Sequence, residues 1–241
     1  MARITIEAAI ETVEDAIAAA EGGADRLELC AALDLGGLTP TLGQVEAVRA
    51  ATTLPMVVML RPRGGHFVYT QSELDIMARD MKHLSATKPI GYVVGILNPD
   101  GTIHEGAMRD LIAQANGTPV VFHRAFDRTP HHLKALNTLI ELNVTRILTS
   151  GGQTTALAGS SRLAKLVEHA AGRIQILPCG RVRAADAANI LQITGAKQLH
   201  GSFAVPVIED ERAGMRGYQG RSETSADEVR AVRKAVDAQR E

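Results

Sequence analysis

Short runs of β-branched and aliphatic residues alternate with longer amphipathic stretches along this chain, and few folds accept that order. The runs fall at Arg3 to Ala8, Arg26 to Ala31, Met56 to Pro62, Tyr92 to Leu97, Pro119 to Phe126, Arg146 to Gly151, Ile174 to Gly180 and Gln198 to Phe203. Between them, apolar residues recur three and four positions apart over Glu11 to Glu21, Leu42 to Arg49, Ser72 to Leu84, Ala107 to Ala115, His131 to Leu142, Ser161 to Ala170 and Ala184 to Thr194, and Asp227 to Gln239 would close the ring. About eight βα units predict an α/β fold, a (β/α)8 TIM-type barrel forming one domain over residues 1–241. A doubly wound sheet ranks a distant second, because no Gly-rich dinucleotide fingerprint or phosphate loop follows an early strand. Polar caps at Thr70 and Ser160, and glycines at Gly22-Gly23, Gly172 and Gly195, mark helix ends. The polar, Gly-rich segment 204–224 is expected to be a lid or a contact arm before a closing helix over 225–240.

Composition excludes several classes of partner. Lys and Arg number 26 against 27 Asp and Glu, so no overall basic field draws a polyanion. Aromatic residues are 3% and Trp is absent, which removes the stacking surface of single-strand binders. No nucleic-acid partner is expected. No apolar stretch reaches the ~18 residues of a membrane span and no basic leader precedes one, so a cytoplasmic protein without a membrane partner is expected. The two cysteines, Cys30 and Cys179, are too far apart for a metal knuckle and too few for a disulfide scaffold.

In a barrel, reactive side chains gather where strands run into the following loops. Glu7 lies near the end of the first run, Glu28 and Cys30 end the second, and Arg61 and Arg63 end the third before Gly64-Gly65. Period-2 alternation puts each of those pairs on one side of an extended strand. The bland reading of Glu28 is a buried carboxylate paired with an Arg. The two guanidiniums suit a carboxylate or phosphate, or a structural ion-pair network. His123, with Arg124 and Asp127 beside it, is the candidate general acid/base, and Glu28, Glu7 and Asp127 complete the candidate catalytic set. Thr149, Ser150, Gly151 and Gly152 could present N–H groups to an anion, though a tight turn explains them nearly as well; His200 and Arg181 stand at later strand ends. Met56, Met59, Met77 and Met81 read as core filling, and His131-His132 as a solvent-facing helix start.

The strings Gly23-Ala24-Asp25-Arg26-Leu27-Glu28-Leu29-Cys30, Gly36-Gly37-Leu38-Thr39-Pro40, Arg61-Pro62-Arg63-Gly64-Gly65, His123-Arg124-Ala125-Phe126-Asp127 and Leu148-Thr149-Ser150-Gly151-Gly152 resemble the CutC family. That resemblance implies a cytoplasmic TIM-type barrel, commonly a homodimer or higher homo-oligomer, with a role in copper homeostasis and copper ion binding. It marks Glu7, Glu28, Cys30, Arg61, Arg63, His123, Arg124, Asp127, Thr149, Ser150 and His200 as mouth residues. Three departures accompany it. Relatives often read Glu-Val-Cys in the first strand where this chain has Glu7-Ala8, which removes one of the two thiols invoked for cuprous ion and leaves Cys30 alone unless Cys179 lies close. Pro178-Cys179-Gly180-Arg181 replaces a glycine-rich turn, and His66 stands where an aspartate is usual. A soft ion such as Cu(I) prefers thiolate and thioether ligands, so Cys30 among hard groups makes a poor site. Two expectations therefore stand: a copper-handling barrel with Cu(I) on Cys30, or an enzyme acting on a small anionic metabolite, phosphorylated or carboxylated, with His123 moving a proton and Arg61, Arg63 and Arg181 holding the anion. A purely structural role comes third.

Overall fold

Three helices start with the same device. Thr12, Thr41 and Thr70 each accept the N–H three residues on, and Asp15, Gln44 and Glu73 return a bond to the capping residue's own N–H. These reciprocal bonds satisfy donors that the first turn leaves free. They open α1 (Val13–Gly22), α2 (Leu42–Ala51) and α3 (Gln71–Leu84). The structure, a computed structural model, describes residues 3–207 and 221–238. Further along come α4 (Glu105–Gln114), α5 (His132–Glu141), α6 (Ser160–Ala170), α7 (Ala184–Thr194) and α8 (Ala226–Asp237).

The strands are β1 (Thr5–Ile10), β2 (Arg26–Leu29), β3 (Met56–Met59), β4 (Gly91–Val94), β5 (Val120–Phe122), β6 (Arg146–Thr149), β7 (Gln175–Pro178) and β8 (Gln198–Gly201). They pair in parallel in the order β7-β6-β5-β4-β3-β2-β1-β8, the cyclic order of a (β/α)8 barrel. Between β7 and β8 the seam is bridged by the Gln198 side chain, whose Nε2 lies 3.3 Å from Gln175 Oε1 and 3.5 Å from the Ile176 carbonyl. Alternation divides the strand residues into two sets. Ile6, Leu27, Val58, Tyr92, Phe122, Ile147, Ile176 and Leu199 pack outward in the main core under the helices, with Met56, Met77 and Met81. Cys30, Val57, Met59, Val93 and Val121 fill one part of the interior, and Leu148, Leu177 and Cys179 another. Among the described residues no helix is long and apolar enough to cross a membrane.

Strand and helix ends differ from expectation where side chains compete with the ladder. β3 stops at Met59, because the Arg61 N–H turns aside to Thr39 Oγ1 at 2.9 Å. β5 stops at Phe122, and Arg124–Arg128 coil into a 3-10 turn instead of extending the strand. Ser160 is the first residue of α6 and Gly159 holds the capping position, while Ala171 rather than Gly172 takes the left-handed stop. The expected arm is in part a two-stranded ribbon, β9 (Ala204–Pro206) against β10 (Ser222–Thr224). Its middle, 208–220, and the last residues of the expected closing helix lie outside the described residues. His132 is half-buried and stacks on Phe126 with ring centres 5.1 Å apart, so only His131 of that pair faces solvent.

Candidate functional site

Charged residues line one sector of the barrel interior. Arg26 and Glu28 alternate along β2, and Gln198 and His200 along β8, so the same period that fills β3 to β5 with apolar residues here stacks polar ones. Glu7 is the hub. Its Oε2 pairs with Arg26 Nε and lies 3.8 Å from Arg146, and its Oε1 meets His200 Nδ1 at 2.9 Å. Gln198 accepts from Arg26 at 2.9 Å, and Gln175 accepts from Arg146 at 3.1 Å. Burial disfavours the Glu7 anion, but the His200 hydrogen bond and the charges of Arg26, His200 and Arg146 outweigh it and bring the carboxyl down to about 2.

Glu28 is placed differently. The bland expectation of an Arg partner fails: Oε2 lies 3.6 Å from His200 Nε2 and 3.8 Å from Cys30 Sγ, and Oε1 is buried without a hydrogen-bond partner. Burial, then the charge of Glu7, push its carboxyl up to about 7, against the pull of His200. Burial also opposes a charge on His200, but Glu28 and the Glu7 bond outweigh it and raise this imidazole. Glu28 and His200 are thus adjacent titratable groups, the carboxyl raised to about 7 and the imidazole raised above its ordinary value, an arrangement suited to proton transfer.

Above this pair, at the C-terminal ends of the strands, lies a cavity of about 470 Å³. Ala9, Glu28, Met59, Arg61, Phe67, His123, Arg124, Asp127, Cys179, Arg181 and His200 line it. Seven of the sequence candidates therefore meet there, and the others do not. Glu7 lies behind His200, and Cys30 is fully buried behind Glu28. Of the two alanines after Glu7, Ala9 reaches the cavity while Ala8 packs outward.

Three expected roles change. Arg63 does not join Arg61 in a clamp. Its guanidinium binds Glu73 at 2.6 Å and the carbonyls of Gly64, His66 and Val68, which orders the loop after β3. Arg61 is likewise held, its NH1 on the carbonyls of Leu35 and Gly37 and its NH2 on that of Gly65, and only Nε lacks a partner. The turn at Thr149 to Gly152 is already filled. Asp127 accepts from Thr149 Oγ1 at 2.5 Å, from the N–H groups of Ser150 and Gly152, and from Arg124 Nε at 3.0 Å. The Gly151 N–H turns to Thr149 Oγ1, so no donor of that turn awaits an outside anion, and Asp127 is a structural acceptor rather than an acid/base.

His123 is the third. Burial, then the nearby Arg61 charge, push its imidazole down to about 3, and the Ala125 N–H occupies its Nδ1, which together favour a neutral hydrogen-bond donor over a group that takes up a proton. Arg181, in contrast, is exposed at the rim and makes no hydrogen bond or ion pair among the described residues. Arg26, Arg146, Gln175 and Gln198 went unmarked in the sequence, although the first and last stand two residues before Glu28 and His200 on the same strand face.

A model of the CutC family matches residues 4–205. The chain belongs to the CutC family. A family member from Treponema denticola is 43% identical over 200 residues, covering 83% of this chain and 81% of its own. A human relative named copper homeostasis protein cutC homolog is 39% identical over 197 residues, covering 82% and 72%. The crystal structure of the putative copper homeostasis protein CutC from Streptococcus agalactiae superposes with a TM-score of 0.79 at 35% identity, covering 83% of this chain and 98% of that one. Family membership and the barrel thus agree. Copper is a separate matter, because the thiols fit it poorly. Cys30 and Cys179 pack in different clusters, and burial pushes each thiol well up, away from the thiolate that a soft ion selects. Met59 is the one thioether in the Cys30 cluster. Glu7, Glu28 and His200 bring ligand atoms within 4.8 Å of one another, but the carboxylates are hard donors, the imidazole is a borderline one, and Arg26 and Arg146 beside them oppose a cation.

Proposed function

We propose that this barrel is an enzyme for a small anionic metabolite, phosphorylated or carboxylated, which binds in the mouth cavity while the Glu28 and His200 pair moves a proton. One observation carries the reading. Among the described residues five buried side-chain polar atoms lack a hydrogen-bond partner, and three of them, Glu28 Oε1, Arg61 Nε and His123 Nε2, belong to residues lining this one cavity. Each costs about 1–3 kcal/mol if left unmatched, a cost that a ligand in the cavity would offset. Arg181, which makes no hydrogen bond or ion pair among the described residues, supplies a cation for the anionic group, and Arg124 lines the same cavity with its side chain 48% exposed. Copper handling, the role carried by the human relative's name, has weaker support, since both thiols are buried and they pack in separate clusters.

A thermal-shift screen of phosphorylated and carboxylated metabolites tests the proposal. A ligand at 100 times its Kd stabilises by about 2.7 kcal/mol, which raises the melting midpoint measurably. Wild type should show such hits and Arg181→Ala should lose them. A panel without hits, or hits of equal strength in the variant, would overturn the reading.

A further inference from the structure

We propose that His123 and Arg61 together hold a developing oxyanion and that Glu28 is the base beside it, so that the cavity takes a small anionic compound with a carbonyl group and a removable proton on the adjacent carbon. This inference rests on the enzyme reading above and narrows it to one substrate class.

The tautomer of His123 is fixed by its own loop. The Ala125 N–H donates to His123 Nδ1 at 3.1 Å, so Nδ1 is the acceptor and Nε2 carries the hydrogen. That N–H is buried and unpartnered, on a residue only 4% exposed. A neutral imidazole held this way cannot serve as a base, yet it is a hydrogen-bond donor whose position costs no reorganisation when charge appears on a ligand. The ring lies there because the residue after β4 is glycine. A Cβ at Gly95 would come within 2.2 Å of His123 Cε1 and 2.3 Å of Nδ1.

Arg61 brings the second donor. Its two terminal nitrogens are held by carbonyls, which fixes the guanidinium plane and leaves Nε–H free. Phe67 packs on both, 4.9 Å from the His123 ring and 4.9 Å from Arg61 Cζ, and sets an apolar ring beside the two donors. Arg61 follows β3 and His123 follows β5, so the two residues flank Gly95, which follows β4 between them. Glu28, one strand further round on β2, offers the complementary feature. Its Oε2 is engaged by His200 and Cys30, and its Oε1 is an acceptor without a donor.

A ligand that satisfies all three atoms must offer an oxygen to two donors and a proton to one carboxylate. A carbonyl with a hydrogen on the next carbon does both. In the step, that C–H bond breaks and its proton passes to Glu28 Oε1. The electron pair becomes a carbon–carbon π bond, and the carbonyl π pair moves onto the oxygen facing His123 Nε2–H and Arg61 Nε–H. Return of the proton from Glu28 to the same carbon gives exchange; where that carbon bears a hydroxyl, passage of the hydroxyl proton to the enolate oxygen and return of the Glu28 proton to the former carbonyl carbon complete an isomerisation.

Deuterium wash-in from D2O, followed by proton NMR, tests this with a panel of phosphorylated and carboxylated aldehydes and ketones that includes dihydroxyacetone phosphate and pyruvate. Wild type should exchange the proton next to the carbonyl in at least one of them. Glu28→Gln should lose exchange, and His123→Phe should lower kcat roughly 100-fold with little change in KM, while His123→Gln, which restores an N–H, recovers part of the loss. In the wild-type protein, the His123 Nε2–H resonance should move downfield when that compound binds, a readout that needs no variant. Panel members that stabilise the protein but exchange no proton overturn this inference and leave the anionic-ligand reading standing. Exchange abolished by Glu28→Gln but untouched in His123→Phe overturns the oxyanion role, and no binding by any member overturns both.

Discussion

Glu28 is 3% exposed on β2, with a thiol and an imidazole near one oxygen and no hydrogen-bond partner at the other. Below about pH 7 its neutral form is the stable one inside the fold, whereas in an unfolded chain it ionises near 4.5. A carboxyl raised in this way contributes its full stability below pH 4.5 and loses it as the pH climbs through about 7. The gap corresponds to on the order of 3 kcal/mol. Replacing Glu28 by Gln keeps the shape and removes the titration. Denaturant melts of wild type and Glu28→Gln at pH 5 and pH 8 should therefore show the variant gaining on wild type by 1–3 kcal/mol, roughly, between the two pH values. A constant difference between the two proteins would show that Glu28 ionises normally in the fold.

At the scale of elements, α8 seats on α1 through a contact that depends on one missing methyl group. A Cβ on Gly22 would lie 2.5 Å from Val229 Cβ and 2.7 Å from the Ala226 carbonyl. Gly22→Ala gains helix propensity but forces the two helices apart, at a cost of roughly 1–3 kcal/mol. At Gly43, in α2, the nearest atom is Thr41 Oγ1 at 4.0 Å, so the same substitution there meets no obstacle and should raise stability by about 0.5–1 kcal/mol. Melting midpoints should move in opposite directions for the two variants, and a shared direction would contradict the packing argument. Elements of this kind were legible in sequence because period 2 and period 3.6 are local signals, and Thr70 and Gly195 cap where expected. Site residues were legible by place but less by role. Arg61, His123 and Asp127 reach the mouth as the strand-end rule requires, but which atom of each is already engaged depends on Leu35, Gly65, Ala125 and Gly152, partners that no spacing reveals. Arg63 faces Glu73 rather than the cavity because β3 ends early, and period 2 means nothing beyond the end of a strand.

Across the whole molecule, one chain of polar contacts runs up the interior from Gln175 and Arg146 through Arg26 and Glu7 to His200 and Glu28, and His123 lines the same cavity as its upper end without bonding to it. The two parts respond to acid differently. Glu7, held at about 2, stabilises the fold above pH 4.5 and loses that contribution as the pH falls toward 2. His123, held at about 3, remains neutral in the fold while the unfolded chain takes up a proton near 6.5, so stability falls with pH across that interval. Between pH 4.5 and 6.5 the Glu28 contribution, which grows as the pH falls, opposes the His123 loss. Below pH 4.5 Glu28 no longer compensates, and Glu7 and His123 act together. Acid unfolding should therefore steepen below pH 4.5. His123→Phe removes one of the two terms, leaving an aromatic ring against Phe67 and no proton to bind. Its stability relative to wild type should rise as the pH is lowered from 7 to 4, by up to about 3 kcal/mol, whatever its value at pH 7. Urea midpoints measured at half-unit steps over that range decide it: a difference that stays flat with pH would mean His123 titrates normally in the fold, and a neutral donor at the mouth would go with it.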